Sequence, residues 1–232
     1  MKIKITLLGL LLVLFSACKK DQPIIVTTDD YCAAVDTVTG IMVHDIFSPP
    51  VAARVYVYPN IAAYEIIAQN STEFESLQGQ LNGLDSIPTL DKKLGVNQKL
   101  AALIAHMEVS KQLIFSEQAL EQYRDSLYEK WTSENKKEFE VSRDYALKVV
   151  DRIKIWMSKD NYKQTRGFRF TVTNLPGTWT PTPPAYMDAV EPYWNKVRPV
   201  ILDSAGQFRA PVPAKFDLSK GSPYYKEVMD SY

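Results

Sequence analysis

Between Gly177 and Val228 the chain holds more than half of its 14 prolines, set among aromatic residues and without a repeating apolar period. The densest phrase is Trp179-Thr-Pro-Thr-Pro-Pro184. Each proline removes a backbone donor and fixes φ, so such a run forms neither an amphipathic helix nor a central strand pair. Connections of this length are uncommon in compact domains, and ordered ones usually serve a site. The segment is therefore expected to be a long ordered loop, held by aromatic packing against a core supplied elsewhere. Ser222-Pro223 then has the form of a helix start, a capping hydroxyl before a proline at the first helical position.

That core must come from upstream, where Asp30 to Asp160 reads as helix. Tyr31, Ala34, Val35, Val38, Ile41 and Met42 recur on one helical face. Ser48 caps a second helix from Pro49 to about Asn70, with Pro59 inside it as an expected kink. Leu100, Leu103, Ile104, Met107 and Ile114 make the stripe of a third helix. Ser116 is the expected cap of a fourth, with Leu120, Tyr123, Leu127 and Trp131 inward. Thr132 or Ser133 is the expected cap of a fifth, facing inward through Phe139, Ala146, Val149, Ile153 and Trp156. The fold class expected is all-α, an antiparallel helical array bearing a long Pro/aromatic-rich loop.

The amino terminus has the layout of an export signal. Lys2 and Lys4 precede an apolar run from Ile5 to Phe15, too short to span a bilayer. Ser16-Ala17-Cys18 resembles a bacterial lipobox, which implies cleavage after residue 17 and lipidation of Cys18. The boundaries expected are a signal peptide over 1–17, a polar tether over 18–30 and a helical body over 31–232. This describes an exported bacterial lipoprotein held on a membrane through its lipid. Charged residues balance at 27 against 27, and loss of Lys2 and Lys4 leaves 25 against 27. Nothing there resembles the concentrated basic face that nucleic acid requires. With Cys18 lipidated, Cys32 has no partner for a disulfide and reads as a small buried apolar residue.

Few residues suggest chemistry. His44 and His106 are the only histidines, on separate helices, and each reads as a polar helix position. His44 and Asp45 are adjacent, so on a helix they point about 100° apart. Arg54 is either a buried charge paired with Asp45 or Glu65, or a surface arginine lying along its helix. Glu134 to Glu140, with Lys136 and Lys137, reads as a solvated helix face. Trp179, Tyr186, Tyr193, Trp194 and Phe208 either line a pocket or pin the loop. The chain has no Gly-rich phosphate loop, no Gly-x-Ser-x-Gly, no His-Glu-x-x-His and no metal-ligand cluster.

Several phrases in succession carry more information. Ser48-Pro-Pro50, Ala53-Arg-Val-Tyr56 and Ile61-Ala-Ala-Tyr64 come first. They are followed by Trp179-Thr-Pro-Thr-Pro-Pro184, Pro192-Tyr-Trp194, Val197-Arg-Pro199, Gln207-Phe-Arg209, Pro211-Val-Pro213 and Ser222-Pro-Tyr-Tyr225. In this order they resemble the vanadium-dependent haloperoxidase branch of the type-2 phosphatidic acid phosphatase superfamily. The resemblance implies an incomplete haloperoxidase-like helical bundle. It also implies that the complete family member binds vanadate, for peroxide-dependent halide oxidation, or phosphate, for phosphomonoester hydrolysis. The family holds its oxyanion through a Lys six residues ahead of Arg-Pro, a Pro-Ser-Gly-His, and a Ser-Arg followed by His.

None of these transfers to this chain. The only Arg-Pro is Arg198-Pro199, with Glu191 at the spacing of the lysine, and the Val197-Arg-Pro199 phrase resembles an upstream segment of this branch rather than the oxyanion motif. Ser-Gly-His is absent. The expectation is a leading half without catalytic, cofactor-binding or metal-binding residues, truncated before the motifs and binding no vanadate itself. The missing half is then a possible partner in trans. The alternative is a non-enzymatic helical surface lipoprotein that binds a ligand or partner.

Overall fold

The computed structural model describes residues 21–232; the leader expected over 1–17 and the lipidation expected at Cys18 lie outside them. Every regular element among the described residues is helical. The chain divides into two compact units. The first holds the described residues up to Phe47 with Ala52–Ser76 and Ile87–Ile153, and the second holds Ser48–Val51, Leu77–Ser86 and Lys154–Tyr232.

In the first unit, α1 runs Thr28–His44 and starts two residues before Asp30, because Thr27 and Asp30 form a reciprocal capping box. The Thr27 hydroxyl accepts from the Asp30 amide at 3.2 Å while the Asp30 carboxylate accepts from the Thr27 amide at 2.7 Å. The face read from the sequence is the buried one: Ala34, Val38, Ile41 and Met42. Helix α2, Pro49–Ala68, continues through Pro59. One turn back, the Tyr56 carbonyl also accepts from the Asn60 side chain at 2.8 Å, and Tyr31 donates to that same amide at 2.7 Å.

Helix α3, Gln98–Lys111, departs from the expected single stripe. From Leu100 to Ser110 every residue except Glu108 is buried, the polar His106 and Ser110 included, so this stretch of the helix is enclosed on all sides. Glu108 accepts from Tyr128 at 2.9 Å and from Arg124 at 3.2 Å, which satisfies its charge at the edge of the core. Ile114 is buried but lies beyond the helix.

The expected fourth and fifth helices are both present: α4, Glu117–Ser158, is two helices that meet at a kink at Asn135, where φ is −157° and ψ is 90°. The cap at this break is neither Thr132 nor Ser133. Asn135 itself accepts from the Glu138 amide at 3.1 Å. Of the residues read as inward, Leu120, Trp131, Phe139, Ala146, Val149, Ile153 and Trp156 are buried, while Tyr123 and Leu127 are only half-buried.

The tether expected to extend to residue 30 is shorter. Gln22 donates to the Glu134 carbonyl at 3.0 Å and Ile24 to the Glu138 carboxylate at 3.1 Å. Asn97, the N-cap of α3, bridges the Ile24 carbonyl and Glu138, each at 2.8 Å. Ile24 and Val26 are buried. Glu138 thus belongs to a hydrogen-bonded seam, not to the solvated face expected of residues 134–140.

The second unit contains the first residues of α2, the end of α4, the short α5 (Tyr162–Thr165), a 3-10 turn at Trp194–Lys196 and α6 (Pro223–Ser231). Helix α6 starts as expected, with Ser222 accepting from the Tyr225 amide at 3.1 Å. The rest is irregular backbone. Trp156 is its buried centre, donating from Nε1 to the Asn82 carbonyl at 2.8 Å. Asn82 in turn gives its amide to the Val200 carbonyl at 2.9 Å and its side chain to the Pro199 and Leu202 carbonyls at 3.0 and 2.7 Å. None of the described helices is long and apolar enough to cross a membrane.

Candidate functional site

Three clusters are worth weighing as sites. In the first unit the ends of α1 and α4 bring His44, Asp45 and Ser116 together. Asp45 is the C-cap of α1 and has left helical geometry, so its side chain turns toward its neighbour. His44 Nδ1 lies 3.1 Å from Asp45 Oδ1, a contact the helical reading had excluded. Ser116 donates its hydroxyl to the same oxygen at 2.5 Å, and the Phe115 and Ser116 amides both donate to Oδ2 at 2.9 Å. Burial opposes ionisation of Asp45, but bonds from the Ser116 hydroxyl and amide, His44 and the Phe115 amide outweigh it and hold the carboxyl at about 2.

Serine, histidine and aspartate here do not form a catalytic triad. A triad needs the serine on one ring nitrogen and the carboxylate on the other. Here Ser116 Oγ, at 3.4 Å, and Asp45 both approach Nδ1. The Ser116 proton is already given to Asp45. The arrangement joins two helix ends, with Asp45 holding the two amides, of Phe115 and Ser116, that lead into α4.

The second cluster surrounds the sole Arg-Pro pair. The Arg198 guanidinium lies 4.9 Å over the Trp156 ring, donates to the Trp156 carbonyl at 3.2 Å, and its backbone amide donates to the Asp160 carbonyl at 2.8 Å. Glu191 is also committed. It accepts from both terminal nitrogens of Arg166 and, at 3.2 Å, from the Ser48 hydroxyl. Its backbone is held at φ +49°. Glu191 is therefore one half of an ion pair that ties the loop down.

Gly83 makes room for this packing. Its φ is +75°, and a Cβ there would meet Arg198 Nη1 at 3.3 Å. Gly83→Ala is expected to lower stability by about 1–2 kcal/mol, from left-handed strain and displacement of the guanidinium. Urea unfolding of the two proteins measures it, and an unchanged midpoint would refute it.

The third cluster is a cavity of ≈ 660 Å³ in the long loop, walled by Phe170, Trp179, Pro183, Pro184, Met187 and Pro192, with Asp188 at its margin. Of the five aromatic candidates only Trp179 lines it, set 5.9 Å from Phe170. Tyr193 packs edge-on to Phe168 and donates to the Arg169 carbonyl at 2.7 Å. Trp194 packs edge-on to Tyr162. Tyr186 and Phe208 are exposed. Phe170 was missed from sequence because it precedes the proline-rich phrase.

The remaining candidates are structural. His106 is buried against the edge of Tyr31, and burial depresses its pKa to about 4. Arg54 is half-buried with its guanidinium 5.0 Å over Tyr58. Glu65 is fully buried and accepts from Ser76 at 2.6 Å. Cys32, expected to be buried, is exposed on α1. Among the described residues no three His, Cys, Asp or Glu side chains converge as a metal site.

A tetrahedral oxyanion such as vanadate requires several converging cations and N–H donors with a histidine within reach. These residues do not fit it. Arg198 is turned onto Trp156, Glu191 would repel an anion, His106 is sealed in the core and His44 stands beside a carboxylate.

No family model matches the chain, and no curated protein sequence does. Among solved structures, the crystal structure described as the first bacterial vanadium-dependent iodoperoxidase is similar to it, with 52% identity and a TM-score of 0.89. The match covers 92% of this chain and 52% of the iodoperoxidase, so the chain spans about half of that protein's length. An identity of this size, sustained across nearly all of these helices and the long loop, means that the chain belongs to the vanadium haloperoxidase superfamily.

Proposed function

We propose that this chain is the leading, non-catalytic part of a haloperoxidase-like protein, exported and held on a membrane through a lipid on Cys18. The observation that carries the non-catalytic reading is the commitment of Arg198 to Trp156 and of Glu191 to Arg166. With those groups engaged and no Ser-Gly-His in the sequence, the described residues offer no converging set of cations, amides and histidine for vanadate. In the complete protein the expected activity is vanadate-dependent oxidation of halide by peroxide, or phosphomonoester hydrolysis in the same kind of pocket. Ile201, Phe208, Val212 and Leu218 are exposed in the loop, and covering them is what a further part of the protein would do in this reading. The half of the family domain that carries the catalytic motifs is the cover we propose.

The test is vanadate titration of the purified chain followed by vanadium-51 NMR, with iodide oxidation assayed in parallel. No saturable line broadening and no vanadate-dependent oxidation are expected. A saturable complex would sink the non-catalytic reading. Adding a polypeptide that carries the three family motifs should restore oxidation and remove the apolar exposure. If it does neither, the chain stands as a helical surface lipoprotein, and the Trp179 cavity becomes the place to look for its ligand.

A further inference from the structure

The amino-terminal chain becomes fixed to the first unit at a definite point. Gln22 is bonded to the Glu134 carbonyl at 3.0 Å. Two residues on, Ile24 is gripped on both sides of its peptide, by Glu138 at 3.1 Å and Asn97 at 2.8 Å. Ile24 is 3% exposed and Val26 7%, so this arm is part of the packed unit. Its docking place is the break in α4, where Asn135 interrupts the helix and frees the Glu134 carbonyl from the regular ladder. Cys18 precedes Gln22 by four residues. Covalent geometry allows at most ~3.5 Å per residue, so the two α-carbons lie no more than ~14 Å apart.

We propose that this short leash makes the surface around the α4 break, Glu134 to Lys137, the side of the first unit that rests on the headgroups of the anchoring membrane. The inference rests on the lipid-anchor reading of Cys18. A lipidated sulfur sits at the edge of the hydrocarbon, and each headgroup layer is itself about 5–8 Å deep. Little of the leash remains once it has crossed that layer. Lys136 and Lys137 are exposed at this surface, and Lys19 and Lys20 lie within the leash by sequence. Ammonium groups so placed are complementary to anionic headgroups. Glu140, 3.8 Å from Lys136, offsets part of that charge, so the leash and not the charge sets the orientation. The first turn of α4 lies about 18 residues up the helix from the break, or ~27 Å along its axis. The exposed Gln118 there is the natural distant reference.

The test uses the full lipidated chain in liposomes containing lipids with a nitroxide on the headgroup. A fluorophore is attached at Lys137→Cys or at Gln118→Cys, each in a Cys32→Ser background. Quenching at residue 137 should exceed that at residue 118 by about twofold or more, given their separation along the helix. Equal quenching at both positions would overturn the orientation. Inserting ten Gly/Ser residues after Lys20 should erase the difference; if the difference persists, the leash is not its cause and the proposal fails. Cys18→Ala should release the protein from the liposomes. If that variant floats with them as well as the parent does, the anchor reading fails, and the orientation built on it fails with it.

Discussion

Trp156→Ala is expected to destabilise the second unit by about 3–5 kcal/mol, the range for removing a large aromatic from a packed interior. Three losses coincide. The ring is 1% exposed, so its removal leaves a cavity among neighbours held by their own hydrogen bonds. Its Nε1–H bond to the Asn82 carbonyl disappears, and Asn82 is the residue that pins the Val200, Pro199 and Leu202 carbonyls. The surface beneath the Arg198 guanidinium also goes. Trp156→Phe keeps most of the area and loses the indole bond, for a smaller cost of about 1–2 kcal/mol. Urea unfolding of both variants gives the comparison. A loss below about 1 kcal/mol for the alanine variant would show that Trp156 is not the centre of this unit.

Acid should weaken the first unit in a way traceable to His106. Burial depresses its folded-state pKa to about 4, below the ordinary value of 6.5. Between those values the unfolded chain takes up a proton that the folded chain refuses. The sign follows directly: the stabilisation is full above pH 6.5, falls as pH drops, and is exhausted near pH 4. A gap of this size is worth about 3 kcal/mol. The imidazole is hemmed in by the Tyr31 ring, whose own pKa burial raises, so no neighbouring acid there welcomes the proton. Asp45, held near 2, contributes a separate limb at lower pH, lost as pH falls through that value. Stability measured from pH 7 to pH 4 should therefore slope downward in the native protein, and His106→Leu should flatten that slope. An unchanged slope in the variant would assign the acid sensitivity elsewhere.

The sequence disclosed the helices where one face was apolar and the other polar. The buried face of α1 follows directly from the spacing of Ala34, Val38, Ile41 and Met42. It was least informative where contacts come from distant residues. The full burial of α3 was hidden, because its alanines carry little apolar weight in a periodicity while filling the closest approaches in the core. The α4 break was placed at the wrong residue. Thr132 and Ser133 are good caps by type, yet Asn135 takes the role because its carbonyl oxygen reaches the Glu138 amide. The tether was drawn too long because Ile24 and Val26 have no helical period, although strand-like burial of two alternating residues against a helix is equally stable.

Site residues were legible only through resemblance, and then chiefly as absences. Nothing in the sequence indicates that Glu191 answers Arg166 and Ser48, since the partners lie 25 and 143 residues away. Likewise the contact of His44 with Asp45 depends on the helix ending between them, at a position where periodicity gives no signal.

The nearly complete burial of α3 has a consequence for how water reaches it. An ordinary surface helix frays from an exposed side, exchanging amide hydrogens through small local openings. From Leu100 to Ser110 only Glu108 is outside the interior, and its carboxylate is itself engaged by Tyr128 and Arg124. No partial opening exposes this backbone without parting α3 from the helices around it. Its central amides therefore report on the first unit as a whole, exchanging only through openings that cost as much free energy as taking that unit apart.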